Sequence, residues 1–184
     1  MVAAYATDDV TAVVTWNPLL SEIANIPGSN LVFDSAEIPG EIIDIMMVNT
    51  LTLADNPDFG KALAGAWYEM MGLMSKDDEA GIAARTAMAS ASGTDLAGYD
   101  AQLATTEMFY EPAKAVEFTN QEKLIETMTF VAKFLFDHGI LGEGAPSPDF
   151  VGVAYPGGKT SGDPANVKLR FDPTFMQMAA DGGL

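Results

Sequence analysis

The stretch Thr11-Ala12-Val13-Val14-Thr15-Trp16-Asn17-Pro18-Leu19-Leu20 constrains the fold more than any other part of the chain. Residues 10–16 form an apolar, β-branched run too short for an independent helix. They read as a strand buried on both faces, as in a parallel sheet. Asn17 is a residue type that caps helices. Pro18 suits a first helical turn because it lacks the donor that turn leaves unpaired. The pattern is therefore a strand running directly into a helix, the corner at which open α/β sheets place ligands. Trp16 would offer a flat apolar face there, and Asn17 a donor and an acceptor. The same residues also suit a plain corner in which Trp16 fills core.

Such a strand needs neighbours, and later segments offer candidates. Residues 30–33 suit a short strand. Pro39-Gly40 breaks the chain, and Ile42-Ile43-Asp44-Ile45-Met46-Met47-Val48 reads as a second buried strand. Glu41 and Asp44 lie at its start. Three positions apart in a strand, they point to opposite faces, so at most one enters a given pocket. A carboxylate in such a strand is either paired internally or faces a cleft, because an unpaired buried charge is too costly.

The middle of the chain is helical. Asn56, Pro57 and Asp58 open a helix whose apolar stripe is Phe59, Leu63, Trp67, Met70, Met71 and Met74. Asp77-Asp78-Glu79 places negative charge at the next helix start, and Gly93 ends it. Residues 95–105 form a further short helix. Thr119 and Glu122 read as a capping box before a long helix that stops at His138-Gly139. From Gly142 onward the chain is rich in Gly and Pro, with a strand at residues 167–171 and a last helix after Asp172-Pro173. Phe109-Tyr110-Glu111-Pro112 forms a second aromatic corner, where Tyr110 could close over a ligand or simply pack a loop.

Charge and residue usage exclude several functions. The 26 acidic residues against 9 basic ones give a net charge of −17, the wrong sign for a nucleic-acid surface or an anionic membrane. With no cysteine there is neither a disulfide nor a thiolate ligand or nucleophile, and the single histidine excludes multi-histidine metal sites. No apolar run approaches the ~20 residues of a membrane span. Gly158-Lys159-Thr160 ends like a phosphate-binding loop, but Val153 stands where that loop needs its first glycine. Met1 to Asp9 has neither the basic region nor the apolar core of a signal peptide. No cofactor, metal or catalytic residue is expected from these patterns.

Three stretches carry a family resemblance. They are residues 12–18; Phe33-Asp34-Ser35-Ala36-Glu37-Ile38-Pro39-Gly40-Glu41-Ile42-Ile43-Asp44; and the run from Phe136-Asp137-His138-Gly139 to Gly144-Ala145-Pro146-Ser147. Together they resemble the nitrate/sulfonate/taurine-type periplasmic substrate-binding proteins of ABC transporters. Within these, the similarity is to the putative urea branch associated with urea or guanidine carboxylases.

The resemblance implies an α/β fold, a type II periplasmic-binding-protein clamshell represented by its helix-rich carboxyl-terminal part. Residues 1–40 would end the second lobe. Residues 41–184 would hold a crossing strand and the carboxyl-terminal part of the first lobe, with a signal peptide and the opening strands lying before Met1. It further implies a periplasmic, non-enzymatic protein that captures guanidinium or urea and delivers it to a membrane permease, without inserting in the membrane itself. The candidate ligand residues, read from the residue types and their positions above, are Trp16, Asn17, Glu41, Asp44 and Tyr110. The alternatives are a small anion such as nitrate, a sulfonate or taurine, or a structural fragment with no intact site. A related pyrimidine-synthase branch uses a histidine and a cysteine-rich iron motif, which a cysteine-free chain does not supply.

Overall fold

Caps and breakers written in the sequence set most of the element boundaries in the computed structural model, which describes all 184 residues. Nine α-helices run in chain order: α1 (Val2–Tyr5), α2 (Leu19–Ala24), α3 (Thr50–Asp55), α4 (Pro57–Met74), α5 (Glu79–Ala91), α6 (Leu96–Leu103), α7 (Pro112–Asn120), α8 (Glu122–Asp137) and α9 (Thr174–Ala180). Three short strands, β1 (Gly152–Ala154), β2 (Thr160–Ser161) and β3 (Val167–Arg170), form one sheet in the order β2-β1-β3. The protein is thus mixed α/β and helix-rich, with a small sheet.

The chain divides into two compact units. One comprises Met1–Ile38 and Leu73–Met108, the other Pro39–Gly72 and Phe109–Leu184. The first break falls at the Pro39-Gly40 turn, where Gly40 adopts a φ of 83°.

In the first unit, α5 packs on α6. Asp78 caps α5 by accepting the Gly81 amide at 2.9 Å, and Asp95 caps α6 by accepting that of Gly98 at 2.8 Å. After α5, Gly93 turns the chain at a φ of 76° while the Thr94 amide bonds back to the Ala89 carbonyl. Arg85 is the buried polar centre of this unit. Its guanidinium donates to the carbonyls of Met74 (2.8 Å) and Lys76 (2.6 Å), to Asp77 (3.0 Å) and to Asp100 (2.9 Å). One side chain thereby satisfies carbonyls that the end of α4 leaves without helical partners.

In the second unit, α7 packs on α9, and Ala115, Thr119, Leu124 and Thr127 are buried. Gly60 of α4 lies beneath the Phe175 ring of α9, where even a methyl group would meet it at 2.4 Å. In the sheet, β1 pairs antiparallel with β2 and parallel with β3. Tyr155, 5% exposed, stacks on Phe171 at 5.6 Å and hydrogen-bonds the Ser161 hydroxyl at 2.9 Å. An ion pair between Lys159 and Glu122 ties this hairpin to the start of α8.

Several expectations are corrected. Residues 10–16, 30–33 and 42–48 are not strands. Val14 and Val32 are 93% and 92% exposed, and no backbone group of residues 11–15, 31–33 or 42–48 bonds to another backbone group. A strand is defined by its neighbour, and within its own unit none of these runs has one. Asn17 does not cap α2. Pro18 holds that position, and the Asn17 side chain instead accepts from the Ser21 hydroxyl at 2.7 Å. The capping box does not form either: Thr119 belongs to the extra helix α7 and donates to the Ala115 carbonyl, while Gln121 precedes α8.

Candidate functional site

In the first unit, Trp16 and Asn17 stand at the entry to α2, joined to it through a cis Asn17–Pro18 peptide. Trp16 is 77% exposed, so its ring is not core but a free aromatic face. The Asn17 oxygen is engaged by Ser21, which leaves its amide nitrogen as a donor toward solvent. The neighbouring Thr15 hydroxyl is buried without a hydrogen-bond partner. An exposed aromatic face and a free amide donor thus occur on consecutive residues, beside a hydroxyl that is itself out of a solute's reach. The first two groups suit a small, flat, polar solute.

In the second unit, a groove of about 130 Å³ is lined by Glu41, Ile43 and Ile45 from one segment, Met128 and Val131 from α8, and Leu169 and Phe171 of β3 and its end. Residues 41, 43 and 45 alternate into it, the period of an extended chain. At about 130 Å³ this open groove has room for no more than one small molecule. Glu41 is the one charged residue lining it, and its carboxylate has no hydrogen bond or ion pair within the protein. A carboxylate among apolar side chains favours a cationic, hydrogen-bonding partner.

The remaining expected residues lie elsewhere. Asp44 alternates away from the groove and is exposed. Tyr110 is half-buried just before α7 and does not line the groove. Sequence reasoning did not point to Leu169 and Phe171, whose contribution depends on β3 lying beside residues 41–45. The alternation of Leu169 and Phe171 with Lys168 and Arg170 was the available signal. The His138 Nδ1–H donates to the Phe134 carbonyl (2.8 Å) and the ring stacks on that of Phe134 at 4.1 Å, closing the end of α8.

No group of three or more His, Asp or Glu residues is placed to hold a metal ion, and no helix is long and apolar enough to cross a membrane. No protein-family model matches the chain, and neither does any curated protein or solved structure.

Proposed function

We propose that this chain is the solute-binding part of an ABC importer, exported to the periplasm, which captures guanidinium or urea without chemistry and hands it to a membrane permease. The observation that carries the reading is the exposed Trp16 ring beside the unspent Asn17 amide. A planar guanidinium stacks on an indole face through cation–π attraction, and urea stacks there and accepts from an amide. Glu41, unpaired in its own apolar groove in the other unit, supports a cationic or amine-bearing ligand in the same chemical class. The residues shared with the urea branch of substrate-binding proteins point the same way.

A small anion fits less well. Helix α2 has only six residues, so its dipole is weak, and the groove offers a carboxylate and no cation. The test is thermal unfolding with guanidinium, urea, nitrate and taurine at low millimolar concentration and matched ionic strength. Ligand that binds only the folded state raises the melting temperature by mass action. A saturable shift with guanidinium or urea that disappears in Trp16→Ala is the expected result. A shift with nitrate or taurine alone, or one indifferent to Trp16, refutes the reading.

A further inference from the structure

Six of the nine basic residues, Lys61, Arg85, Lys114, Lys123, Lys133 and Lys159, are held in ion pairs. In a chain with 26 carboxylates this is the expected fate of a cation. Of the other three, Lys76 lies in the first unit, whereas Lys168 and Arg170 share strand β3. Both are exposed, both lie on one face of β3, and neither has an acidic partner. Leu169 and Phe171 alternate with them and turn to the apolar groove over Met128 and Val131. Strand β3 is also an edge, since β1 pairs with it on one side and nothing pairs on the other. Across the groove, residues 42–48 likewise have no backbone partner.

We propose that β3 is a docking edge for an extended polypeptide strand from outside this chain, one that alternates apolar and acidic residues. Only another backbone supplies donors and acceptors at the repeat an open strand edge presents. Apolar side chains of the added strand would enter the groove over Met128 and Val131. Acidic ones would lie opposite Lys168 and Arg170, where cross-strand pairs of opposite charge stabilise and like charges repel. The two cations thus select among strands: they discourage indiscriminate pairing at an exposed edge and admit an acidic one. The inference does not depend on the solute reading, because that reading is carried by Trp16 in the first unit and this one by β3 in the second.

The experiment uses the full chain and a fluorescently labelled eight-residue peptide of alternating Val and Glu, followed by anisotropy at low salt. Saturable binding is expected, with slowed exchange at those amides of residues 167–170 that do not already donate to β1. The double variant Lys168→Glu/Arg170→Glu should weaken binding by about tenfold or more, for two reversed cross-strand pairs. Both positions are exposed, so unchanged circular dichroism and melting should accompany that loss. A Val/Lys peptide should bind far less, and a Val/Glu peptide N-methylated at alternate residues should not bind. Equal binding of the basic or the methylated peptide, indifference to the double variant, or no binding at all overturns the proposal. So does protection, before peptide is added, of those amides in residues 167–170 that do not donate to β1, whether it comes from residues 42–48 zipping onto β3 or from a dimer detected by sedimentation. Guanidinium-induced stabilisation is read separately through Trp16, so failure of one reading leaves the other intact.

Discussion

Replacing Arg85 with alanine tests how the first unit is held together. The substitution removes two hydrogen bonds from a charged donor to carbonyls and two to carboxylates. These four do not weigh equally. Asp77 is 95% exposed, so its contribution is screened to about 0–0.5 kcal/mol. Asp100, 43% exposed, contributes about 0.5–1 kcal/mol by the same reasoning. The bonds to the Met74 and Lys76 carbonyls involve a side chain only 9% exposed, and charged hydrogen bonds contribute about 1.5–3 kcal/mol each before relaxation. Allowing the freed Lys76 carbonyl to find solvent, the loss should be about 3 kcal/mol, within the range for breaking a buried charge network. Urea unfolding followed by circular dichroism reads this as a lower midpoint at unchanged slope. Arg85→Lys should recover less than half, since a point charge on a flexible stem cannot serve four acceptors in a fixed fork. Asp77→Asn should cost under about 0.5 kcal/mol. A loss below about 1 kcal/mol for Arg85→Ala would mean that α5 and α6 are held by apolar contact alone.

Two other predictions concern backbone fit and pH. At Gly81, an added methyl would lie 2.2 Å from the Lys76 carbonyl and 2.7 Å from that of Leu73, so Gly81→Ala should destabilise by about 1–3 kcal/mol. Gly72, inside α4 with open space around it, should instead gain about 0.5–1 kcal/mol on Gly72→Ala; thermal melts of both variants check the pair. Burial holds the Tyr155 phenol above its usual 10.0, against the opposing bond to Ser161. The unfolded chain therefore loses that proton first, so this stability is full below pH 10.0 and lost as pH rises through the folded value. Tyr155→Phe should flatten the fall in melting temperature above that pH, and an unchanged slope refutes the assignment.

What was legible in the sequence was local, and what was not depended on partners. Asp78, Asp95, Gly93, Gly139 and Asp172 mark helix ends whose bonds lie within a few residues, and each marks a boundary of the fold. Helix α7 was not expected, because Thr119 and Glu122 have the spacing of a capping box. The Thr119 hydroxyl instead bonds the Ala115 carbonyl inside a preceding helix, and the spacing alone carries no sign of that. Strands were misread for a different reason. Residues 10–16 and 42–48 have strand composition, whereas β1 is only Gly152, Val153 and Ala154. It forms because Gly152 lets the Asp163 carbonyl approach to within 2.1 Å of where a Cβ would sit, a tertiary closeness no short-range pattern encodes. At the candidate site, period-2 reasoning separates Glu41 from Asp44, while the contribution of β3 needed the fold.

The exposed apolar runs and the large negative charge are two halves of one physical situation. Val14, Trp16, Val32, Ile42 and Met47 are each at least 70% exposed, and extended runs with unpaired backbone are templates for association. Nothing local in residues 31–33 opposes it, since they carry no charge. The opposing force is global: with 26 acidic and 9 basic residues, copies repel one another at neutral pH. That repulsion disappears as pH falls toward the isoelectric point of about 4.1, while the apolar runs are unaffected. Light scattering against pH should therefore be low at pH 7 and rise steeply toward pH 4.1, with helical circular dichroism retained through the early part of the rise. High salt at pH 7 should reproduce part of the effect by screening the same charges. If scattering rises only after the helical signal is lost, association follows unfolding, and the exposed runs of the folded chain are not its cause.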